Sequence, residues 1–316
     1  MSPASAHLAP TGPAAELLAR TPELAPHPHA AALRDEIAHW LTATGVLDTA
    51  TAARRLDRGH LDLAARSWGD VPAGPGLRAA TKWLVLTRIL DEHIELGWPG
   101  EPSDTARRTL GALRALTATG QVPAARNEDS PALVRAFEGL WHDSAALAGP
   151  EWQTRCAADF RSHLDSSLAR LGTGGAIPSV PQYLTQYGRD GAVRCAGHWV
   201  ELAHGLDLPD QLHRHPQLTD LLARFQHLVC WVGDLADASG MVRALEVHRG
   251  LPPHAAAARV AELCAAELTT LEFLADGIAR GSHWPTQVRR HAQGLVRHVH
   301  ALIRCTATGT GHAQES

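Results

Sequence analysis

Tyrosine, phenylalanine and methionine are scarce in this chain: two, four and two in 316 residues, with tryptophan supplying nine of the fifteen aromatics. Five cysteines (Cys156, Cys195, Cys230, Cys264 and Cys305) form an odd, scattered set with no Cys-x-x-Cys pair, so neither a zinc site nor a disulfide framework is expected. A reducing cytoplasm is the expected compartment. No uninterrupted apolar run reaches the roughly 18 residues that a spanning helix needs, so no membrane span is expected. The net charge of -4 comes without a basic patch, which argues against nucleic acid as a partner. There is no period-two strand pattern and no internal repeat. A Gly-x-Ser-x-Gly elbow and a phosphate-cradling glycine loop after a strand are also missing, so nucleophilic and nucleotide-binding chemistries find no support.

What the chain has is alanine and leucine in helical order, within a composition that is 45% hydrophobic. Apolar periodicity predicts helices over 30–44, 49–68, 81–96, 103–119, 131–147, 151–171, 180–205, 216–248, 253–280 and 285–305, with a break near Gly188 or Gly191. The expected architecture is a single all-α domain over residues 30–305. Residues 1–29, rich in Ala and Pro and without a signal-peptide pattern, read as a flexible leader, and 306–316 as a disordered tail.

The most chemically suggestive stretch runs from Leu84 to Trp98. An apolar segment there delivers Asp91, Glu92, His93 and Glu95. On one helix Asp91 and Glu95 lie four residues apart on one face, an arrangement that suits a hard cation such as Mg2+ or, equally, a solvated helix end. His93 sits inside the motif as a candidate donor to phosphate or catalytic acid. Asp190, near the expected helix break, is a candidate general acid if it is buried with its proton. Among the twenty histidines, pairs such as His213 with His215 and His298 with His300 point apart on a helix, and most histidines are expected at the surface or at helix ends.

The order of features resembles the bacterial class I terpene synthases. The acidic motif follows a segment like Arg78 to Trp83. Trp152 and Arg155 stand as Trp-x-x-Arg, Pro178-Ser179 precedes Tyr183-Leu184, and Glu201, Gly205, Leu208 and Pro209 follow at matching spacing. The resemblance spans about Pro26 to Arg304. It implies a class I isoprenoid-synthase helical bundle around a central apolar cavity, a small-molecule isoprenoid substrate, and magnesium held by Asp91, Glu92 and Glu95 together with Asp234 and Asp237. It further implies diphosphate contacts from Arg155, Tyr187, Arg189 or Arg194, and a cavity wall from Trp83, Trp199, Phe225 and Trp231. A homodimer is left open.

The chain departs from that family at its second metal motif. In register, the three ligand positions are Gly233, Asp237 and Met241, and Gly240 stands where a basic residue is usual. Tyr187 occupies the position of the sensor arginine, and the C-terminal Arg-Tyr pair is missing because Tyr187 is the last tyrosine. Three readings stay open. The first is a terpene cyclase acting on a prenyl diphosphate of farnesyl or geranylgeranyl size through carbocations. The second is a protein that keeps the pocket and binds, or cyclises by protonation and without metal, a terpenoid or other apolar molecule lacking a diphosphate. The third is a non-catalytic helical interaction protein.

Overall fold

Residues Pro75–Leu96 and Gly191–His204 form helices that are apolar on nearly every side, and such helices belong at the centre of a bundle. In the first, Leu77, Ala80, Leu84, Leu86, Ile89 and Leu90 are all buried; in the second, Cys195, Ala196, Val200, Leu202 and Ala203 are. The computed structural model describes residues 13–56, 61–96, 105–118, 131–170, 177–187 and 191–309. Among them there are helices and no strand. In chain order these are α1 (Pro13–Ala19), α2 (Ala30–Ala43), α3 (Thr49–Arg55), α4 (Leu61–Ser67), α5 (Pro75–Leu96), α6 (Thr105–Ala118), α7 (Ala132–Ala145) and α8 (Pro150–Arg170). They continue as α9 (Val180–Tyr187), α10 (Gly191–His204), α11 (Asp210–His213), α12 (Pro216–Asp237), α13 (Gly240–Arg249), α14 (Pro253–Arg280) and α15 (Thr286–Gly309).

Helix α10 packs against α5, α8, α12 and α15. Helices α12, α14 and α15 pack on one another, α7 packs on α5 and α6, and α8 on α6. Aliphatic columns at helical spacing build these contacts, for example Val288, Ala292, Leu295, Val299 and Ile303 along α15, all buried. No described helix is long and apolar enough to cross a membrane.

Several boundaries differ from the periodicity. The acidic helix starts at Pro75 rather than Thr81, because proline is well suited to the first helical turn, where its missing N–H is not needed. The tract expected over 49–68 is two helices, α3 and α4. The tract expected over 216–248 is also two, because Ala238 adopts a left-handed conformation at φ 47° and ends α12. The segment read as a loose leader contains α1. Leu17 is buried, Arg20 donates to Thr269 Oγ1 at 2.7 Å, and Arg304 donates to the Thr21 carbonyl at 2.7 Å, so tertiary contact orders what composition left open. The helix α15 carries on to Gly309, past the expected start of the tail.

Candidate active site

The acidic motif stands at the C-terminal end of α5. Asp91 is about a third exposed, and its Oδ1 lies 3.1 Å from Nε2 of the buried His163 on α8. Glu92 is committed to an ion pair with Arg55. His93 turns back onto its own helix: its Nδ1 lies 2.7 Å from the Ile89 carbonyl, so the ring donates there and is not aimed along the motif. The side chain of Glu95 lies outside the described residues, as do the side chain of Tyr187 and residues Arg189 and Asp190.

His163 is the end of a polar column. Arg155, Asp159 and His163 recur every fourth residue of α8 and so share one face. Asp159 pairs with Arg194, whose Nε lies 2.9 Å from Oδ1, and with His198, whose Nε2 lies 2.9 Å from Oδ2, both from α10. Arg155 bridges Glu201 Oε2 at 3.0 Å and Asp210 Oδ1 at 2.6 Å. The column therefore links the acidic end of α5 to the start of α10 and, further down, to α11.

At its far end the column meets a buried nest. Glu201 is fully buried, with His213 Nε2 at 3.2 Å and His198 Nδ1 at 3.5 Å from its Oε1. Burial alone would raise the Glu201 carboxyl, but His198 and His213 outweigh it and hold the group well below the usual carboxylate range. His198 shifts upward for the reciprocal reason: burial opposes its charge, and the bonds to Asp159 and Glu201 more than offset that. His291 on α15 faces the same nest, yet burial pushes it down to about 4, and neither ring nitrogen has a hydrogen-bond partner. Arg155, expected at diphosphate, is thus engaged by Glu201 and Asp210.

The end of α12 is arranged differently from a cation site. Asp234 is buried and accepts from three donors: the Tyr183 hydroxyl, the Met241 N–H at 2.8 Å and Ser239 Oγ at 3.3 Å. Burial raises its carboxyl, partly countered by these donors. Met241 sits on α13 beyond the break, buried, and Asp237 is exposed on the last turn of α12. A Cβ on Gly240, at φ 42°, would fall 2.1 Å from Asp234 Oδ1, so glycine is the residue that this contact permits. Asp234, expected as a metal ligand, is thus an acceptor for three hydrogen bonds in this structure. Among the described residues no three His, Cys, Asp or Glu side chains converge on a point fit for a metal ion.

The expected wall residues separate into packing groups. Trp83 lies in a filled aromatic cluster with Phe137, Trp141 and Phe160, ring centroids 5.1–6.4 Å apart, and its indole donates to Ser144 at 2.8 Å, so it is core. Phe225 packs beside His298, and Trp231 stacks on His227 with centroids 4.9 Å apart. Trp199 on α10 is buried with its indole N–H unpartnered. A separate cleft of about 500 Å³ opens between α14 and α15, lined by Leu24, Glu272, Ala275, Arg297 and His300, and shares no residue with either acidic motif.

Reasoning from sequence did not find His163, Asp159 or the Glu201 nest. The four-residue repeat of Arg155, Asp159 and His163 was the available signal.

Comparison with known proteins agrees with the fold. The pristinol synthase of Streptomyces pristinaespiralis is 26% identical over 212 residues, which is 66% of this chain and 56% of that protein. The alpha-muurolene synthase of Coprinopsis cinerea is 27% identical over 202 residues, covering 52% and 47%. The chain thus spans about half the length of the curated relatives that it matches. In structure, the linalool/nerolidol synthase of Streptomyces clavuligerus, solved with 2-fluorogeranyl diphosphate, superposes with a TM-score of 0.77 at 20% identity over 88% of this chain and 98% of that one. The family model described as terpene synthase family 2, C-terminal metal binding, matches residues 82–270, more than half of the sequence, and the chain belongs to that family.

Proposed function

We propose that the protein is a terpene cyclase that ionises a prenyl diphosphate at the end of α5 and closes the resulting cation into a ring within the bundle. The observation that carries this reading is Asp91, a partly exposed carboxylate at the end of an otherwise buried helix, with His163 Nε2 at 3.1 Å, in a chain of a terpene synthase family. Farnesyl or geranylgeranyl diphosphate is the proposed substrate size.

Asp91 has the donor chemistry that a hard divalent cation prefers, and Mg2+ is the proposed ion. Bound there, it supplies charge neutralisation as the diphosphate departs. The end of α12 does not fit a cation, since Asp234 is occupied and Gly233 and Met241 offer no side-chain oxygen, and no step is derived through it. Arg194, held by Asp159 near the start of α10, is the proposed partner of the diphosphate, because an oriented guanidinium matches phosphate oxygens. As the allylic C–O bond breaks, the diphosphate keeps the electron pair. The carbocation cyclises, and loss of a proton gives the neutral terpene. Trp199, Phe225 and Trp231 are the proposed aromatic stabilisers, and burial keeps the cation from water.

The α12 end favours a second reading, in which a terpenoid or other apolar molecule without a diphosphate is bound or cyclised by protonation. Incubation of the purified protein with geranyl, farnesyl and geranylgeranyl diphosphates, with Mg2+ and with chelator, separates the two. Mg2+-dependent hydrocarbon or alcohol in a pentane extract, detected by gas chromatography, supports the first; no turnover of any of the three sinks it.

A further inference from the structure

The end of α12 concentrates several local oddities. Ala238 is the one non-glycine residue with positive φ among those described, and Gly240 follows at φ 42°. Both follow Asp234, whose carboxyl is reached by donors from three places: the Tyr183 hydroxyl on α9, the Met241 N–H on the first turn of α13, and Ser239 between the helices. The Tyr183 hydroxyl also contacts Cys230 Sγ at 3.2 Å, one turn earlier on α12. Ser239 caps α13 by position but makes no side-chain cap bond of its own, and the Asp234 carboxyl instead meets an exposed N–H of that first turn.

These features depend on one another. A helix running straight through residue 238 would carry Met241 along the α12 face, and its N–H would bond to the Asp237 carbonyl. The left-handed turn at Ala238 brings that N–H to Asp234 instead. The absence of a side chain at Gly240 leaves room for the carboxyl, and the phenol of Tyr183 ties the junction to α9. Asp237 is left exposed on the last turn of α12, with no oxygen donor at Gly233 or Met241 to complete a cation site.

We propose that the end of α12 has exchanged metal binding for a fixed helix joint, in which Asp234 clamps α9 and α13 and neither Asp234 nor Asp237 holds a divalent cation. Every oxygen donor of the old motif is then accounted for as structure or as surface. The joint does not depend on the substrate proposed above.

The test uses the full chain and Mn2+ with inorganic pyrophosphate as the probe, free Mn2+ being read by electron paramagnetic resonance. Asp237→Asn and Asp234→Asn are expected to bind Mn2+ within twofold of wild type, and Asp91→Asn at least tenfold more weakly. Melting temperatures supply the second readout. Tyr183→Phe and Asp234→Asn should each lower it by about 3 °C or more, and together by less than the sum, because they disable one contact. A tenfold loss of Mn2+ affinity in folded Asp234→Asn or Asp237→Asn overturns the joint, as does an unchanged melting temperature in Tyr183→Phe. Should Asp234→Asn not fold, Asp237→Asn and Tyr183→Phe decide alone. Wild type that binds no Mn2+ would support the joint and count against the metal-dependent reading of α5 instead.

Discussion

His163 Nε2 on α8 stands 3.1 Å from Asp91 Oδ1 on α5, from the same helical face that places Asp159 on Arg194 and Arg155 on Glu201. One rigid helix thus sets the acidic group and the basic group of the proposed site relative to each other. Orientation by such a partner is what groups that must meet a metal or a diphosphate need, since a carboxylate left to rotate loses part of its binding energy.

His163→Leu is therefore expected to lower kcat/KM for the prenyl diphosphate that the protein turns over by about 10- to 100-fold, the usual cost of losing a partner that orients a metal-binding group. His163→Asn, which keeps a donor on a shorter side chain, should recover part of the loss. Steady-state kinetics on the three proteins is the measurement. Equal values for leucine and wild type would mean that Asp91 holds its position without α8.

Arg155 offers a test of structure against substrate binding. Its guanidinium is the strong cation on a carboxylate that is about 1% exposed, so Arg155→Ala leaves Glu201 buried with only imidazoles for company. Breaking a buried pair by removing one partner costs about 3–5 kcal/mol, and equilibrium urea unfolding should show a loss of that order. A change in KM with unaltered stability would instead return Arg155 to the diphosphate.

Much of this fold is legible in the apolar spacing. The residues that bury α5, α10, α14 and α15 recur at three and four, and their elements lie where the periodicity puts them. What is not legible is what neighbours decide. The helix α1 is seven residues long and too short to declare itself; Leu17 and Arg20 order it by packing on α14 and α15. The break at Ala238 has no signal in alanine itself, which favours helix, and only the Asp234 contact makes the turn worthwhile. The place of Asp91 at the end of an apolar helix is legible in the sequence. His163, His198 and His291 are not, because a sequence reports no burial, and histidines expected at the surface prove to be in the core.

Two buried histidines, His291 and His298, set an acid limit on stability. Burial pushes His291 and His298 down to about 4 from an ordinary value near 6.5. His291 faces Glu201, whose charge favours protonation, and His213, His204 and His198, which oppose it. Both rings are neutral in the folded chain, and the unfolded chain protonates them first as pH falls. Their contribution is complete above about pH 6.5 and is lost progressively as pH drops toward 4, with a slope approaching 1.4 kcal/mol per pH unit for each ring. His298→Leu, whose ring loses only solvation on burial, should flatten the fall in melting temperature between pH 6.5 and 4.5. Parallel curves for variant and wild type would refute the assignment.

Ala238 carries the last prediction. An L-residue in the left-handed region costs roughly 1–2 kcal/mol, and glycine escapes this at the expense of about 0.5–1 kcal/mol of extra freedom in the unfolded chain. Its side chain is exposed, so no packing is lost on removing it. Ala238→Gly should then stabilise the protein by about 0.5 kcal/mol, a rise of about 1–2 °C in melting temperature. Ala238→Val should act the other way, because a β-branched side chain tolerates positive φ worse than alanine does. Opposite shifts from two substitutions at one exposed position would trace the effect to the backbone turn, since no neighbouring side chain has a stake in it. If both lower the melting temperature equally, the turn at 238 is not where α12 ends, and the reach of Met241 N–H to Asp234 needs another cause.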